Sequence, residues 1–442
     1  MRFASSRRGI LAAAVLAAGS LALSACSAGS LGSSDESPGG QTQLTFLTNN
    51  DPNNVKTANA LIKAFEADNP TIDVKLDTRP GGGDGDNLVK TRLSTGDMAD
   101  VFEYNSGSLF QAISPEKNLT PVTDESWVND LDDTFKQVVT AGGNLYGSPW
   151  GSTTGGGVLY NTKVYAKLGL EVPATWDQFM ANNAKIKAAG ITPVEQTFGD
   201  TWTSQILVLA DYHNVAEADP SFADNYTGNK AKYASTPAAA AGFQHLEDVH
   251  KAGYLNKDFA SAKFNDGLVA VATGAAAHYP MITFAVPALF GVAAKNVNDV
   301  GFFALPGTDS AKAGVTVWEP SGIYIPKTTT GAKLDAAKKF QAFVASSKSC
   351  DVQAKIAPVG GPFPIKSCPL PSDVSTAVKD LTTYVDKSAV TLALEFLSPI
   401  KGPALEQITV EVGSGIRSAK DGAALYDKDV QKQAQQLGLE GW

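Results

Sequence analysis

The spacing of hydrophobic positions changes in a regular order once the chain passes residue 43. The run 44–47 is short and β-prone, and apolar residues between 55 and 65 recur at the spacing of an amphipathic helix. Apolar residues between 72 and 76 then alternate with polar ones, as in a strand, and residues 99–102 form another short β-prone run. This order of strand, helix and strand predicts a βαβ unit and a mostly parallel sheet.

Polar residues follow two of these predicted strands. Asn50 and Asp51 come after the first strand, and Tyr104 and Asn105 come after the last one. Open α/β sheets bind ligands beyond the carboxyl ends of their strands. We therefore expect these four residues to line a cleft, with the Asn/Asp-rich stretch also able to cap the following helix.

A glycine-rich stretch at residues 79–86 has the composition of a phosphate-binding loop, but no Gly-Lys-Ser/Thr follows it. It also fails as a calcium loop, because Thr95 occupies the position of the closing glutamate. We expect a surface loop here.

The first 25 residues have the build of an export signal. They carry Arg2, Arg7 and Arg8 without an acidic residue, followed by a short Ala/Leu-rich run that ends at Leu23-Ser24-Ala25-Cys26. This ending resembles a lipobox, which predicts acylation of Cys26. The arginine pair is compatible with either the twin-arginine or the general export route. Residues 26–43 are rich in Ser and Gly and predict a flexible tether.

The net charge and the cysteine content restrict the classes of partner and cofactor that the chain can bind. Removal of residues 1–25 changes the formal net charge from −9 to −12, which disfavours nucleic acid as a partner. With Cys26 acylated, Cys350 and Cys368 remain, and in an oxidising compartment a disulfide is favoured over two buried thiols. Two such ligands do not make a metal site, and we expect neither a metal nor another cofactor.

Several segments between residues 145 and 193 resemble, in order, the family 1 extracellular solute-binding proteins. These are sugar-binding subunits of ABC importers of the maltose- and maltodextrin-binding type, and they are not enzymes. The segments are Leu145–Gly151, Val158–Asn161, Leu168–Leu170, Pro173–Phe179 and Ile186–Pro193. A looser similarity extends over the whole mature chain.

The resemblance implies an α/β, two-lobed periplasmic-binding-protein fold in which each lobe is a mixed sheet flanked by helices. Lobe 1 would comprise residues 42–150 plus 319–361, and lobe 2 residues 151–318 plus 362–442. The hinge would run near residues 150–154, where Gly151 and Gly155–Gly157 would give the backbone freedom. The resemblance further implies a monomer, tethered by its lipid outside a Gram-positive cell membrane, that delivers sugar to a permease pair driven by a separate ATPase.

A pyranose offers C–H faces that suit aromatic rings and hydroxyl groups that suit Asp, Glu and Asn. Trp202 matches a position where the family places a stacking aromatic residue, and Trp318-Glu319 lies at the expected second crossover. Trp176 and Phe179 share one helix face, which favours core packing over a ligand contact. The candidate ligand residues are Asn50, Asp51, Tyr104, Asn105, Trp150, Trp202, Tyr279, Phe284, Trp318, Glu319 and Glu395.

Three alternatives stay open at this point. The ligand could be another polyol-like solute, such as a glycerol phosphodiester. An exported polysaccharide hydrolase would need two carboxylates, which a chain with 45 acidic residues cannot lack, although it has no Gly-x-Ser-x-Gly or His-Glu-x-x-His motif. A passive surface adhesin would not need the two-lobe pattern.

Overall fold

The structure is a computed structural model, and it describes residues 40–442. The predicted signal peptide, the acylated Cys26 and all but the last few residues of the tether lie outside this range. No helix within the described residues is both long and apolar enough to cross a membrane.

Thirteen strands lie within the described residues. The strands are β1 (Thr42–Asn49), β2 (Ile72–Arg79), β3 (Val101–Tyr104), β4 (Thr140–Ala141), β5 (Asn144–Leu145), β6 (Ser148–Trp150), β7 (Thr154–Asn161), β8 (Thr192–Val194), β9 (Ala276–Ile282), β10 (Val300–Ala304), β11 (Val315–Trp318), β12 (Ser321–Tyr324) and β13 (Val390–Leu392).

The helices are spread along the whole described range. Those up to residue 218 are α1 (Pro52–Asp68), α2 (Gly82–Thr95), α3 (Ser108–Ala112), α4 (Pro115–Asn118), α5 (Asp133–Val138), α6 (Thr162–Leu168), α7 (Trp176–Ala188), α8 (Ile206–Leu209) and α9 (Tyr212–Ala218). Those after it are α10 (Phe222–Thr227), α11 (Pro237–Lys251), α12 (Phe264–Thr273), α13 (Val286–Val292), α14 (Gly331–Val344), α15 (Ser347–Ile356), α16 (Thr376–Asp386), α17 (Leu394–Leu397), α18 (Leu405–Gly413) and α19 (Ala419–Gln436).

The first sheet has the strand order β2-β1-β3-β12-β6. β1 pairs in parallel with both β2 and β3, and this confirms the predicted βαβ unit. β12 is antiparallel to β3 and β6, so the sheet is mixed. We call this sheet and the helices on it lobe 1.

The second sheet has the order β13-β11-β7-β9-β8, with β10 also paired to β7. β7 is antiparallel to β9, β10 and β11, whereas β8 is parallel to β9 and β11 to β13. The carboxyl ends of β8, β9, β11 and β13 therefore share one edge. We call this sheet and its helices lobe 2. Two mixed sheets flanked by helices confirm the predicted fold class.

Three crossings join the lobes. The first crossing is residues 151–153, between β6 and β7, and the second is residues 319–320, between β11 and β12. The third crossing is the longer segment 357–375, between α15 and α16. The first two lie within the ranges expected for the hinge from the sequence.

The third crossing departs from the expected lobe boundary at residue 361. Ile365 pairs with Leu131, and the Lys366 N–H donates to Asp130 O, so this part of the segment lies on lobe 1. A disulfide between Cys350 and Cys368 fastens it to α15, which confirms the predicted disulfide. We therefore assign residues 362–368 to lobe 1.

Gly155, Gly156 and Gly157 lie inside β7 rather than in a flexible crossing. A Cβ on Gly156 would come 2.5 Å from Cζ3 of Trp318, and one on Gly157 would come 2.3 Å from the carbonyl oxygen of Phe303. The glycine run therefore serves close packing, and the expectation that it supplies hinge freedom is wrong.

Candidate functional site

A groove between the lobes lies beside the second crossing and has a volume of about 470 Å³. We call it the Trp318 groove. Its lining comes from the loop after β3 and the start of α3 in lobe 1, from the second crossing, and from α17, the loop after it and α19 in lobe 2. The lining residues are Asn105, Ser106, Ser108, Leu109, Trp318, Glu319, Ser321, Glu395, Phe396, Pro399, Lys401 and Gln433.

The two lobes approach each other closely at one end of this groove. Gly107, just before α3, has a φ of +67°, and a Cβ there would come 2.2 Å from Cδ1 of Phe396 in lobe 2. Positive φ and lack of space both require glycine at this position. The Ser106 hydroxyl, in the same loop, donates to the Pro320 carbonyl oxygen at 2.9 Å and fixes the loop to the second crossing.

Trp318 and Glu395 are arranged by a short chain of polar contacts. The indole N–H of Trp318 donates to Glu395 Oε1, and Lys401 Nζ lies 3.0 Å from Glu395 Oε2. Trp318 and Glu395 are both half-buried, so each keeps surface that faces the groove. The groove thus combines an aromatic face, a carboxylate and a cation that is already paired.

Glu319 is the buried acid of this groove. Its Oε2 accepts a hydrogen bond from the Thr153 hydroxyl at 2.8 Å, while Oε1 makes no hydrogen bond within the described residues. Burial raises the pKa of Glu319 to about 7, and repulsion from Asp132 adds to this, whereas the hydroxyl groups of Thr134 and Thr153 oppose it. A carboxyl group in this state exchanges a proton near neutral pH.

A second groove of about 270 Å³ lies beside the first crossing, and we call it the Phe284 groove. Trp150, Gly151, Ser152 and Thr154 line it, together with Phe284 of lobe 2 and the start of the third crossing. Phe284 is 45% exposed, an unusual amount for a large apolar side chain.

Phe284 belongs to an aromatic cluster in lobe 2. Its ring centroid lies 5.7 Å from that of Trp202, which in turn lies 5.4 Å from that of Phe264. Trp202 is half-buried and does not line either groove directly. Its ring packs beside the exposed ring of Phe284.

Trp150 is largely committed to lobe 1. It is 7% exposed, its indole N–H donates to Asn54 Oδ1 at 2.6 Å, and its ring meets Phe46 edge-on. It still contributes to the wall of the Phe284 groove.

The other candidates from the sequence lie outside both grooves. Asp51 caps α1 by accepting from the N–H groups of Asn53 and Asn54, and Asn50 is exposed next to it. Tyr104 and Tyr279 are fully buried, and the Tyr279 hydroxyl bonds to Thr197 Oγ1 at 2.7 Å. Two tyrosines without exposed surface cannot contact a ligand in this structure, and we remove them from the site.

Sequence reasoning did not single out Lys401, Pro399 or Gln433 in the Trp318 groove. Pro399 and Lys401 lie in the loop that follows α17, and Gln433 lies on α19, far from β3 in the sequence. Only the packing of α19 beside this loop brings it to the groove, so no local pattern could have identified it. Among residues 40–442, no group of three or more His, Cys, Asp or Glu side chains is placed to hold a metal ion.

Comparison with known families decides the class of protein. The profile of the bacterial extracellular solute-binding proteins matches residues 50–349. The chain belongs to this family.

Relatives of this solute-binding protein are named for sugars. The multiple sugar-binding protein of Streptococcus mutans is 26% identical over 346 residues, which is 76% of this chain and 78% of that protein. The melibiose/raffinose/stachyose-binding protein MelE of Bacillus subtilis is 26% identical over 132 residues, 30% of each chain.

Solved structures of the same type share the fold of this solute-binding protein. The binding protein MsmE of Bacillus subtilis, in an open conformation, aligns with a TM-score of 0.76 at 19% identity over 91% of this chain and 100% of that one. RafE of Streptococcus pneumoniae in its apo form aligns with a TM-score of 0.74 at 19% identity, over 91% of this chain and 99% of that one. At this identity the likeness establishes the two-lobed fold alone.

Proposed function

We propose that this solute-binding protein captures a carbohydrate, a di- or oligosaccharide, in the Trp318 groove and delivers it to an ABC permease. The observation that carries the proposal is that groove itself. It lies between the two lobes and is lined by aromatic rings, amide and hydroxyl groups, and two carboxylates.

The chemistry of the lining supports a neutral, hydroxyl-rich ligand. Trp318 and Phe396 offer ring surfaces for the C–H faces of a sugar, and Asn105, Glu319 and Glu395 offer partners for hydroxyl groups. The names of the relatives, a multiple sugar-binding protein and a melibiose/raffinose/stachyose-binding protein, point to the same ligand class.

The mechanism is binding without chemistry. An open form admits the sugar, and contacts from both lobes favour a closed form through movement at the crossings. The outer surfaces of the two lobes then meet the permease, whose energy comes from a cytoplasmic ATPase. The protein is a monomer, held outside the cytoplasmic membrane by a lipid on Cys26.

A glycerol phosphodiester is the second candidate ligand class. A phosphate needs an available cation, and Lys401 is the cationic residue among those that line the two grooves. Its ammonium group is already paired with Glu395 at 3.0 Å. Because this ammonium group is already paired, the groove favours a carbohydrate over a phosphodiester.

A thermal-shift screen of the chain from residue 26 onward tests the proposal. The panel contains galactose, maltose, raffinose, stachyose, maltotriose, xylotriose and glycerophosphocholine. A ligand that binds only the native state raises the melting temperature, so a carbohydrate series should give the largest rise. A rise with glycerophosphocholine alone would favour the second candidate, and a folded protein without any rise would contradict both.

A further inference from the structure

The three crossings between the lobes meet at Thr153. This residue lies in the first crossing and is 7% exposed. Its backbone N–H donates to the Pro362 carbonyl oxygen of the third crossing at 2.8 Å. Its hydroxyl donates to Glu319 Oε2 of the second crossing, also at 2.8 Å. One threonine therefore hydrogen-bonds to both of the other crossings.

The third crossing lies directly against this threonine. A Cβ on Gly361 would come 1.9 Å from the Thr153 carbonyl oxygen, so the segment can approach this closely only because residue 361 is glycine. The adjacent Gly360 would meet Thr283 O at 2.9 Å in lobe 2. The contact leaves little room for the first crossing to move independently of the third.

The hydroxyl of Thr153 also determines how Glu319 is held. Glu319 lines the Trp318 groove, is 7% exposed, and has one oxygen without a hydrogen-bond partner in the described residues. Asp132 faces it from the segment before α5 and repels its charge, while the Thr134 hydroxyl stabilises that charge.

Two more charged groups line the same groove. They are Glu395 and Lys401, and they pair with each other. Neither group bonds to Thr153, whose hydroxyl connects the Glu319 carboxyl group directly to the first crossing.

We propose that Thr153 is a positioning residue for ligand capture: it ties the three crossings to one another and thereby holds the Glu319 carboxyl in the wall of the Trp318 groove. This inference rests on the proposed function, because it assigns Glu319 to the same carbohydrate site. It adds that the hinge and the groove share a hydrogen bond, so that a change at Thr153 reaches the ligand through Glu319.

The first arm of the test uses the protein without ligand. Tryptophan fluorescence, to which Trp318 beside Glu319 contributes, is followed from pH 5 to pH 9 for wild type, T153S, T153V and E319Q. Burial raises the pKa of Glu195 and of Asp211 to about 8, so the Glu319 transition is taken as the difference from the E319Q curve.

The expected result follows from the direction of the Thr153 contribution. The Thr153 hydroxyl lowers the pKa of Glu319, so T153V should shift the transition to higher pH, and T153S should restore the wild-type midpoint. A residue that merely filled space would not move this midpoint. T153A makes the same deletion without the branched side chain and replaces T153V if that variant does not fold.

The second arm measures affinity by titration calorimetry with raffinose and with maltotriose. Loss of one hydrogen bond that positions a binding group should weaken the affinity about fivefold in T153V, and T153S should stay within about twofold of wild type. Circular dichroism checks that each variant is folded.

The outcomes separate this inference from the proposed function. If wild type binds a sugar but T153V matches T153S in midpoint or in affinity, the positioning role of Thr153 is overturned. If no sugar binds to wild type, the proposed function fails. The fluorescence arm alone then decides whether Thr153 positions Glu319. An unmoved midpoint then overturns the tie between Thr153 and Glu319, and a moved midpoint supports it.

Discussion

The indole Nε1 of Trp318 lies 2.5 Å from Glu395 Oε1 and donates a hydrogen bond to it. Trp318 is the last residue of β11, and Glu395 is the second residue of α17. The bond therefore joins two segments of lobe 2 at the edge of the groove. Lys401 holds the other oxygen of Glu395 at 3.0 Å. The ring that we assign to a sugar face is therefore held at its polar end.

The first prediction concerns this bond. Glu395→Ala removes the acceptor of Trp318 and the partner of Lys401, and it should weaken carbohydrate binding by about 1–2 kcal/mol, measured by calorimetry. Glu411→Ala is the matched control, because Glu411 also forms an ion pair in lobe 2, with Arg417 at 2.7 Å, but lines neither groove. Equal affinities for the two variants would exclude Glu395 from the site.

The second prediction concerns the Phe284 groove. Phe284→Ala should weaken binding of the longer oligosaccharides by roughly 1–2 kcal/mol, because the exposed ring offers apolar surface to sugar units that extend past the crossings. Phe290→Ala is the control, since Phe290 is 39% exposed on α13 but lines a different surface pocket. The account of this groove is wrong if both variants bind stachyose like wild type.

Periodicity predicted the first strand, helix and strand because these elements each bury one face. The buried residues of α1 are Ala58, Leu61, Ile62 and Phe65, and all four belong to the expected helical pattern. Trp176 is likewise 8% exposed and packs on Phe179 at 5.0 Å, as expected for core residues.

The helix α2 was missed because its first turn consists of glycine and aspartate, which are poor helix formers. Gly85 has a steric reason to be glycine. A Cβ there would come 2.0 Å from the Pro80 carbonyl oxygen and 2.7 Å from an Arg79 guanidinium nitrogen. The turn just before α2 therefore leaves no room for a side chain at this position.

The site was harder to predict than the fold. Tyr104 and Tyr279 lie on strands that are buried on both faces, where alternation no longer separates core from cleft. Trp318, Glu319 and Glu395 were singled out from the sequence and do line one groove, but their partners Thr153 and Lys401 come from other segments. The family resemblance gave the first set, and only the three-dimensional structure gives the second.

The third prediction concerns pH and stability. Burial raises the pKa of Asp211 to about 8, so the native state holds this proton more tightly than the unfolded state does. The resulting stabilisation is complete below the unfolded pKa near ~4 and is lost as pH rises through 8, by at most about 1.4 kcal/mol per pH unit.

Other buried groups fix the pH window for this measurement. His245 and His278 have a pKa lowered by burial to about 3, so they destabilise the native state only as pH falls below ~6.5. Glu195 and Glu319 act in the same direction as Asp211. The melting temperature should therefore fall from pH 6.5 to pH 8, and less steeply in Asp211→Asn; an unchanged slope in that variant would contradict the assignment.

The fourth prediction concerns the disulfide. It joins residues 18 apart and fastens the third crossing to α15. The double variant Cys350→Ser/Cys368→Ser should lose about 3 kcal/mol of unfolding free energy, measured by guanidinium denaturation. Reduction of wild type with dithiothreitol should give the same loss, and a variant as stable as the oxidised protein would argue against the contribution of this bond.

A crystal structure of the protein grown with the carbohydrate that raises its melting temperature most tests the central claim directly. We predict that the sugar lies between the lobes in the Trp318 groove, with one ring face against Trp318 and hydroxyl groups on Glu319 or Glu395. A sugar bound on the outer surface of one lobe, with the Trp318 groove left without it, would contradict the claim.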